Sequence, residues 1–412
     1  MVHREQAETL NTLAVNVNQN ESHVSDFYYA VQISVCLLKP FGAWPLANDE
    51  TSKFKIVLHR ASMVIATFLL IFIIAPMMVY MMEEKDVFLI IHIMCELLFT
   101  LMAFAKYVLL LWHQDRLRFC IDHVANDWRY AIISKERDIM LANARVGRTF
   151  GITSVVFMFS CGTLYYLQPI VTPNLVNEDN VTVKLHPSAC EFLVFDSKVS
   201  PVYEIVYFLQ LLSGFTAYSA FCGICSLMAN FVAHVCGQCD VLMSLLEELV
   251  DGGKHNSGSI DDRIAVVITR HLHLLRFVSD IRSLFTEICL VEFMNASCNI
   301  CLMGYIIITD MNNNESFVQI FMYFFGLVSV IFNVFMFCYI GDLLKERCQQ
   351  VGAICYTIEW YRMPSKKTID LLMPIAMSRY PATLTAGKML TMTLTTFSDV
   401  SNTASCSKCE VN

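Results

Sequence analysis

Residues 61–82 read ASMVIATFLLIFIIAPMMVYMM, and after the four charged residues EEKD the chain resumes at Val87 with VFLIIHIMCELLFTLMAFAKYVLLLW, ending at Trp112. A helix needs about 20 mostly apolar residues to cross the hydrocarbon core of a bilayer. Two such runs joined by four charged residues read as a pair of antiparallel membrane spans. Working outward, four more segments meet the same requirement: Thr149–Gln168, Val202–Val232, Leu284–Thr309 and Phe317–Leu343. A seventh, Thr383–Phe397, holds six Thr and one Lys, and its 15 residues would cover only about 22 Å. It reads either as a short span or as an amphipathic surface stretch.

The composition agrees with a membrane protein. Of 412 residues, 56% are hydrophobic and 16% charged, with a mean hydropathy of +0.51, against about 25% charged in ordinary soluble domains. One soluble core stops growing near roughly 250–300 residues. Collagen-like, disordered and nucleic-acid-binding classes are excluded by 15 Gly, 10 Pro and a net charge of -8. The segment before Ala61 is polar and carries no apolar core ahead of a cleavage site, so the first span is expected to act as its own signal anchor.

Lys and Arg concentrate in cytoplasmic loops. Residues 1–60, 113–148, 233–283 and 344–382 hold 23 of them, whereas 83–86, 169–201, 310–316 and 398–412 hold 4. The expected fold is therefore all-α, with seven transmembrane helices, a cytoplasmic N-terminus and an extracellular C-terminus. The sequons at Asn180 and Asn314 both fall in loops expected outside, as candidate glycosylation sites. An inside N-terminus inverts the arrangement of G-protein-coupled receptors, and neither an Asp/Glu-Arg-Tyr nor an Asn-Pro-x-x-Tyr signature is present.

Catalytic chemistry is not expected. No HExxH, GxSxG or P-loop occurs, and no convergent set of polar groups can be assembled for catalysis. Four Cys-x-x-Cys pairs occur, at Cys222/Cys225, Cys236/Cys239, Cys298/Cys301 and Cys406/Cys409. Cysteines within spans serve as small hydrophobes, and an external disulfide among Cys406, Cys409 and Cys190 is one option. His271 and His273, beside Arg270 and Arg276, read as a solvated basic helix face rather than a metal site. No cofactor and no metal are expected.

Ionisable residues within spans are costly and mark function by default. Here they are Glu96, Lys106, Glu204, Glu287 and Glu292. Glu204 and Glu287 lie near span ends, where they can reach the interface. Glu96 and Lys106 are ten residues apart on one helix, too far to pair directly. The outer halves of four spans carry recurrent faces at i, i+3/i+4, i+7 spacing. Span two offers Phe88, His92 and Cys95, and span three Phe159, Gly162, Thr163 and Tyr166. Span four offers Tyr207, Leu211 and Gly214, and span six Phe321, Phe324, Phe325 and Val328. An apolar, aromatic pocket suits a small hydrophobic ligand; ordinary helix packing or lipid contact is the alternative for each residue. A Thr-rich last segment at a bundle axis would line a water-filled path.

From Cys338 onward the chain resembles the insect odorant receptor family. The residues that carry the likeness are CYIGDLLKE at 338–346, Ala353, Tyr356, Trp360-Tyr361, Pro364, Arg379, Pro381, LTAGK at 384–388, Leu394 and Phe397. Near the start, LLKPFGAWP at 37–45 resembles the family's entry segment. The resemblance implies a subunit of an odorant-gated cation channel in the plasma membrane of olfactory sensory neurons. Such a subunit acts in a heterotetramer with the shared odorant-receptor co-receptor, amid membrane lipid, on small volatile ligands and without nucleic acid. It further implies an inter-subunit anchor within 344–382, at Ala353, Tyr356, Trp360 and Tyr361. Leu384, Lys388, Thr391, Leu394, Thr395 and Phe397 map to a pore-lining helix over 383–397. Odorants would bind among spans two, three, four and six, within the helical region 61–343 that follows the cytoplasmic segment 1–60. The second cytoplasmic loop, 233–283, is short and much of it reads as helix extension, as in a ligand-tuning subunit rather than the co-receptor, which carries a longer insertion.

One departure stands out. Where the family continues with an apolar end to the last helix, residues 398–412 read SDVSNTASCSKCEVN, a polar extracellular tail that leaves the last helix truncated. A gustatory-receptor-type channel subunit, a secondary transporter and a non-conducting decoy subunit are the competing readings.

Overall fold

The computed structural model describes residues 22–46, 52–131, 133–171, 175–176, 182–183, 186–188, 190, 200–251, 259–313, 316–364, 368–381 and 383–399. Eight long helices make up most of it. Helix α1 covers residues 22–38, followed by α2 (Lys53–Glu83), α3 (Val87–Trp112), α4 (Gln114–Tyr130) and α5 (Ser134–Val171). Then come α6 (Val202–Glu247), α7 (Ile260–Asn312) and α8 (Phe317–Thr357). Among the described residues, six helices are long and apolar enough to cross a membrane: α2, α3, α5, α6, α7 and α8.

Local chemistry starts these helices where the apolar runs begin. The Asp86 carboxylate accepts the Phe88 backbone N–H at 2.9 Å, closing the first turn of α3 and separating it from α2. Ser259 and Asp262 form a reciprocal capping box at the start of α7, which satisfies donors that the helix itself cannot.

Four of the spans extend far beyond the apolar runs. α5 begins before Thr149, α6 continues past Val232, α7 begins before Leu284, and α8 runs on past Leu343. Together with α1 and α4, these extensions build a helical bundle over 113–148, 233–283 and the start of 344–382, of which the sequence implies helix extension over much of 233–283 and an anchor helix within 344–382. Hydropathy cannot detect the extensions, because their charges pair between helices. Arg137 meets Asp26 at 2.5 Å, Arg270 meets Glu136 at 3.0 Å, and Arg347 meets Asp240 at 3.0 Å.

Helix α6 is the axis of the molecule. Its most apolar 18-residue window is wholly buried, whereas 22–33% is buried in the other spans. Small residues allow that enclosure, since they let neighbouring backbones approach closely. Ser213, Gly214, Ala217, Ala220, Gly223, Ala229 and Ala233 all face packed neighbours.

The expected helix over 383–397 requires correction. Thr385–Ala386 (β3) and Leu390–Thr391 (β4) form a short antiparallel hairpin, and only residues 394–399 are helical. Gly387 and Lys388 in its loop adopt φ values of 59° and 61°, in the left-handed region that breaks a right-handed helix and favours glycine. The hairpin is pinned on both sides: Gly387 N–H donates to the Thr286 carbonyl of α7 at 3.0 Å, and the Met392 backbone lies where a Cβ on Gly341 of α8 would fall. The Asp342 carboxylate then accepts the Leu394 N–H at 3.1 Å, capping the final helical segment from a neighbouring helix.

A second antiparallel pair, Leu175–Val176 (β1) with Thr182–Val183 (β2), lies in the α5–α6 connection. Asn180, Asn314, Cys406, Cys409 and residues 400–412 lie outside the described residues. Cys190 is a free thiol.

Candidate functional site

A cavity of about 350 Å³ lies between α3, α5, α6, α7 and α8, at the end of the spans opposite α4. α3 contributes Phe88, His92, Cys95, Glu96 and Phe99 to its wall. α5 adds Cys161, Tyr165 and Tyr166, and α6 adds Gly214, Ala217 and Tyr218. α7 contributes Asn299 and Met303; α8 contributes Met322, Tyr323, Phe325 and Ser329. Pro187, from the α5–α6 connection, closes one side.

Two polar arrays interrupt the otherwise apolar wall. In the first, the Glu96 carboxylate accepts the Tyr165 hydroxyl at 2.5 Å and also the Ser188 hydroxyl. Gln210 Nε2 donates to the Ser188 carbonyl at 3.2 Å, which ties the connection to α6. In the second, His92 Nδ1 lies 2.8 Å from the Tyr323 hydroxyl, and Nε2 lies 3.6 Å from the Asp310 carboxylate. Between the arrays, the Cys95 thiol donates to the Asn299 side-chain carbonyl at 3.3 Å. Aromatic edges complete the enclosure, with Phe99 and Tyr218 centroids 5.1 Å apart. A cavity of this size and lining suits a small, largely apolar molecule carrying one hydrogen-bonding group.

The residues singled out from sequence divide sharply. Phe88, His92, Cys95, Tyr166, Gly214 and Phe325 line the cavity. Phe159 instead packs on Phe215 and Tyr218, and Gly162 lies behind the Tyr218 ring. Thr163 is exposed and returns its hydroxyl to the Phe159 carbonyl. Tyr207 donates to the Tyr166 carbonyl at 2.7 Å, supporting the wall from outside. Leu211, Phe321, Phe324 and Val328 point outward, with Phe324 54% exposed. Sequence reasoning missed Tyr165, Tyr218, Asn299, Tyr323 and Ser329, and it placed Glu96 in no pocket. The overlooked signal is polarity inside an apolar span, because such groups turn toward the bundle interior.

The ends of the last segment sit apart from this cavity. Leu384 is buried, Lys388, Thr391 and Thr395 are exposed, and Leu394 and Phe397 are half-buried. The Phe397 ring meets Phe335 of α8 at 5.6 Å. Ala353, Tyr356, Trp360 and Tyr361 are all exposed on the single chain.

A family model described as 7tm Odorant receptor matches residues 86–405. The chain belongs to the 7tm odorant receptor family. That family is one of receptors and not a class of enzymes, and six helices of this chain are long and apolar enough to cross a membrane. Odorant receptor 10 of Aedes albopictus is 25% identical over 208 residues, 50% of this chain and 54% of that one. Odorant receptor Or2 of Anopheles gambiae is 23% identical over 287 residues, 66% of this chain and 71% of that one. The chain thus spans about half the length of the first relative. The olfactory receptor OR5 of the insect Machilis hrabei, solved in complex with eugenol, superposes with a TM-score of 0.81 at 11% identity, over 95% of this chain and 100% of that one. A second structure of that protein superposes with a TM-score of 0.75 at 12% identity, over 92% of this chain and 96% of that one. At such identity the likeness establishes the shared fold.

Proposed function

We propose that this odorant receptor is a ligand-tuning subunit of an odorant-gated, non-selective cation channel, assembled with the odorant-receptor co-receptor in a heterotetramer. The observation that carries the reading is the cavity between α3, α5, α6, α7 and α8. It is aromatic-walled, of ligand size, and lies in a chain of the odorant receptor family. Its preferred ligand is a small hydrophobic molecule that places a hydroxyl or carbonyl against Glu96–Tyr165 or His92–Tyr323.

The same reading sets the N-terminus in the cytoplasm and the C-terminus outside, following the 23 to 4 distribution of basic residues. It assigns residues 384–397 to the pore side of the subunit and Ala353, Tyr356, Trp360 and Tyr361 to the inter-subunit anchor. The exposure of those four side chains supports the anchor, because apolar surface on a lone chain favours burial against a partner. Asn180 and Asn314 are then candidate glycosylation sites, and the site of action is the plasma membrane of olfactory sensory neurons.

α7 offers a mechanical route. It contributes Asn299 to the cavity and, through Thr286, holds the hairpin that precedes residues 394–399. A ligand that bound preferentially to one position of α7 would bias the pore segment through that contact, since a ligand shifts an equilibrium only by its differential affinity for the two states.

The polar sequence after Phe397 favours a second reading, a subunit that assembles without conducting. Current recording from cells expressing the chain with and without the co-receptor, against an odorant panel and with surface labelling, separates the two. Co-receptor-dependent currents that shift when Tyr218 is changed to Ala support the channel reading. Surface-expressed complexes silent to every odorant support the decoy.

A further inference from the structure

Away from the cavity, at the α4 end of the bundle, three imidazoles converge on one carboxylate. Asp127 of α4 accepts His234 Nε2 of α6 at 2.9 Å and His273 Nε2 of α7 at 3.1 Å. His123, one turn earlier on α4, places its Nε2 3.6 Å from the same carboxylate. That distance is too long for a hydrogen bond. The His123 side chain is only 9% exposed, and its Nε2 is buried with no hydrogen-bond partner among the described residues. A buried polar atom left unpaired costs the desolvation of that atom with no return, so this nitrogen calls for a ligand.

We propose that His123, Asp127 and His273 form a zinc site. One donor atom from each lies within 4.8 Å of the others, and two imidazoles with one carboxylate suit Zn²⁺. The i, i+4 spacing of His123 and Asp127 puts both on one helix face. The His123 ring is held between Phe277 and His273, with centroids 4.2 Å and 4.1 Å away. His273 is 55% exposed, which leaves its ring room to turn toward a shared ion. His234, donating to Asp127, is a positioning residue that orients the carboxylate, the arrangement that commonly tunes ligands from behind.

These three side chains also border a cavity of about 180 Å³. Three protein ligands facing a cavity leave a fourth position for water, as in open zinc sites. The proposal departs from the reading of His273 as part of a solvated basic face, with which its exposure agrees. Sequence could not join it to residues on α4, 146 positions away.

The test uses the full-length chain purified in detergent and stripped with a chelator, then titrated with Zn²⁺ against a competing chromophoric chelator. The expected result is one Zn²⁺ per chain at this site, a rise in Tm on loading, and a nitrogen/oxygen-only shell by zinc K-edge absorption. His273→Gln, at an exposed position, should fold normally and lose at least ~10-fold in affinity. His234→Gln should lose less. Undiminished binding by His273→Gln, sulfur in the shell, or no uptake at all would overturn the site.

Discussion

The Lys106 ammonium of α3 rests against the Glu292 carboxylate of α7 inside the bundle, with the two side chains 0% and 3% exposed. Asn333 of α8 donates to the other Glu292 oxygen. The ammonium also lies 4.2 Å from the Phe221 ring centroid of α6. Three spans therefore meet one another through this pair, around the axial helix.

Removing one partner should be worse than removing both, because a lone buried charge retains its desolvation cost. Lys106→Met is expected to lose about 3–5 kcal/mol, read as a lower Tm in detergent and reduced surface expression. Lys106→Met combined with Glu292→Leu should recover most of that loss. If the double variant melts no higher than the single, the pair is not the source of the effect.

Gly214 lies directly against the Tyr166 ring, with no space for a Cβ. Gly214→Ala should push that ring into the cavity. Overpacking of this kind costs about 1–3 kcal/mol, or at least ~5-fold in the half-maximal concentration of an agonist that fills the cavity. Leu211→Ala, on the outward face, should leave the response unchanged. Concentration–response curves for ligands of graded size measure both, and equal shifts for the two variants would place the ligand elsewhere.

Asp342 caps residues 394–399 from α8, in addition to the preceding Thr393, whose Oγ1 accepts the Thr396 N–H at 3.4 Å. Asp342→Ala should cost about 1 kcal/mol and accelerate hydrogen exchange at the amides of Leu394 to Phe397. Asparagine also caps well, so Asp342→Asn should exchange more slowly than Asp342→Ala. Indistinguishable exchange in the two variants would remove the cap from the account.

Lys388 holds a left-handed backbone in the hairpin loop with its side chain exposed. A non-glycine residue there costs roughly 1–2 kcal/mol, so Lys388→Gly should raise Tm. Gly387→Ala should lower it, because a Cβ would meet the Leu290 side chain at 2.8 Å. A Tm that falls for Lys388→Gly would mean that the lysine side chain contributes more than its backbone costs.

The six long spans were legible because uninterrupted apolar runs such as 61–82 admit no other placement. Their extensions were legible in part: much of 233–283 and the start of 344–382 read as helix, whereas the extension of α5 did not, since Arg137 resembles a loop charge until its partner Asp26 is known. The cavity was half legible. Helical spacing found the faces of Phe88, His92 and Cys95, but aromatic content could not tell the lipid side of α8 from its inner side. Phe321 and Phe324 were therefore selected where Tyr323 and Ser329 face inward. Lys106 was read against Glu96 on its own helix, whereas its partner Glu292 lies on a span 186 positions further along. The Gly387-Lys388 pair was a breaker signal within the last segment, and a Thr-rich pattern outweighed it.

The enclosure of α6 has a mechanical consequence. Its buried face mixes small residues with large ones, Phe221, Met228 and Phe231 among them, and with hydroxyls such as that of Ser213, which donates to the Leu69 carbonyl of α2 at 2.7 Å. Displacing a neighbour along α6 therefore requires those side chains to repack and such bonds to break, so the helix serves as a fixed post about which the outer helices tilt. The polar ties of the neighbouring helices to one another, from Glu96 with Tyr165 to Lys106 with Glu292, act as the guy-lines that limit how far each can tilt about that post.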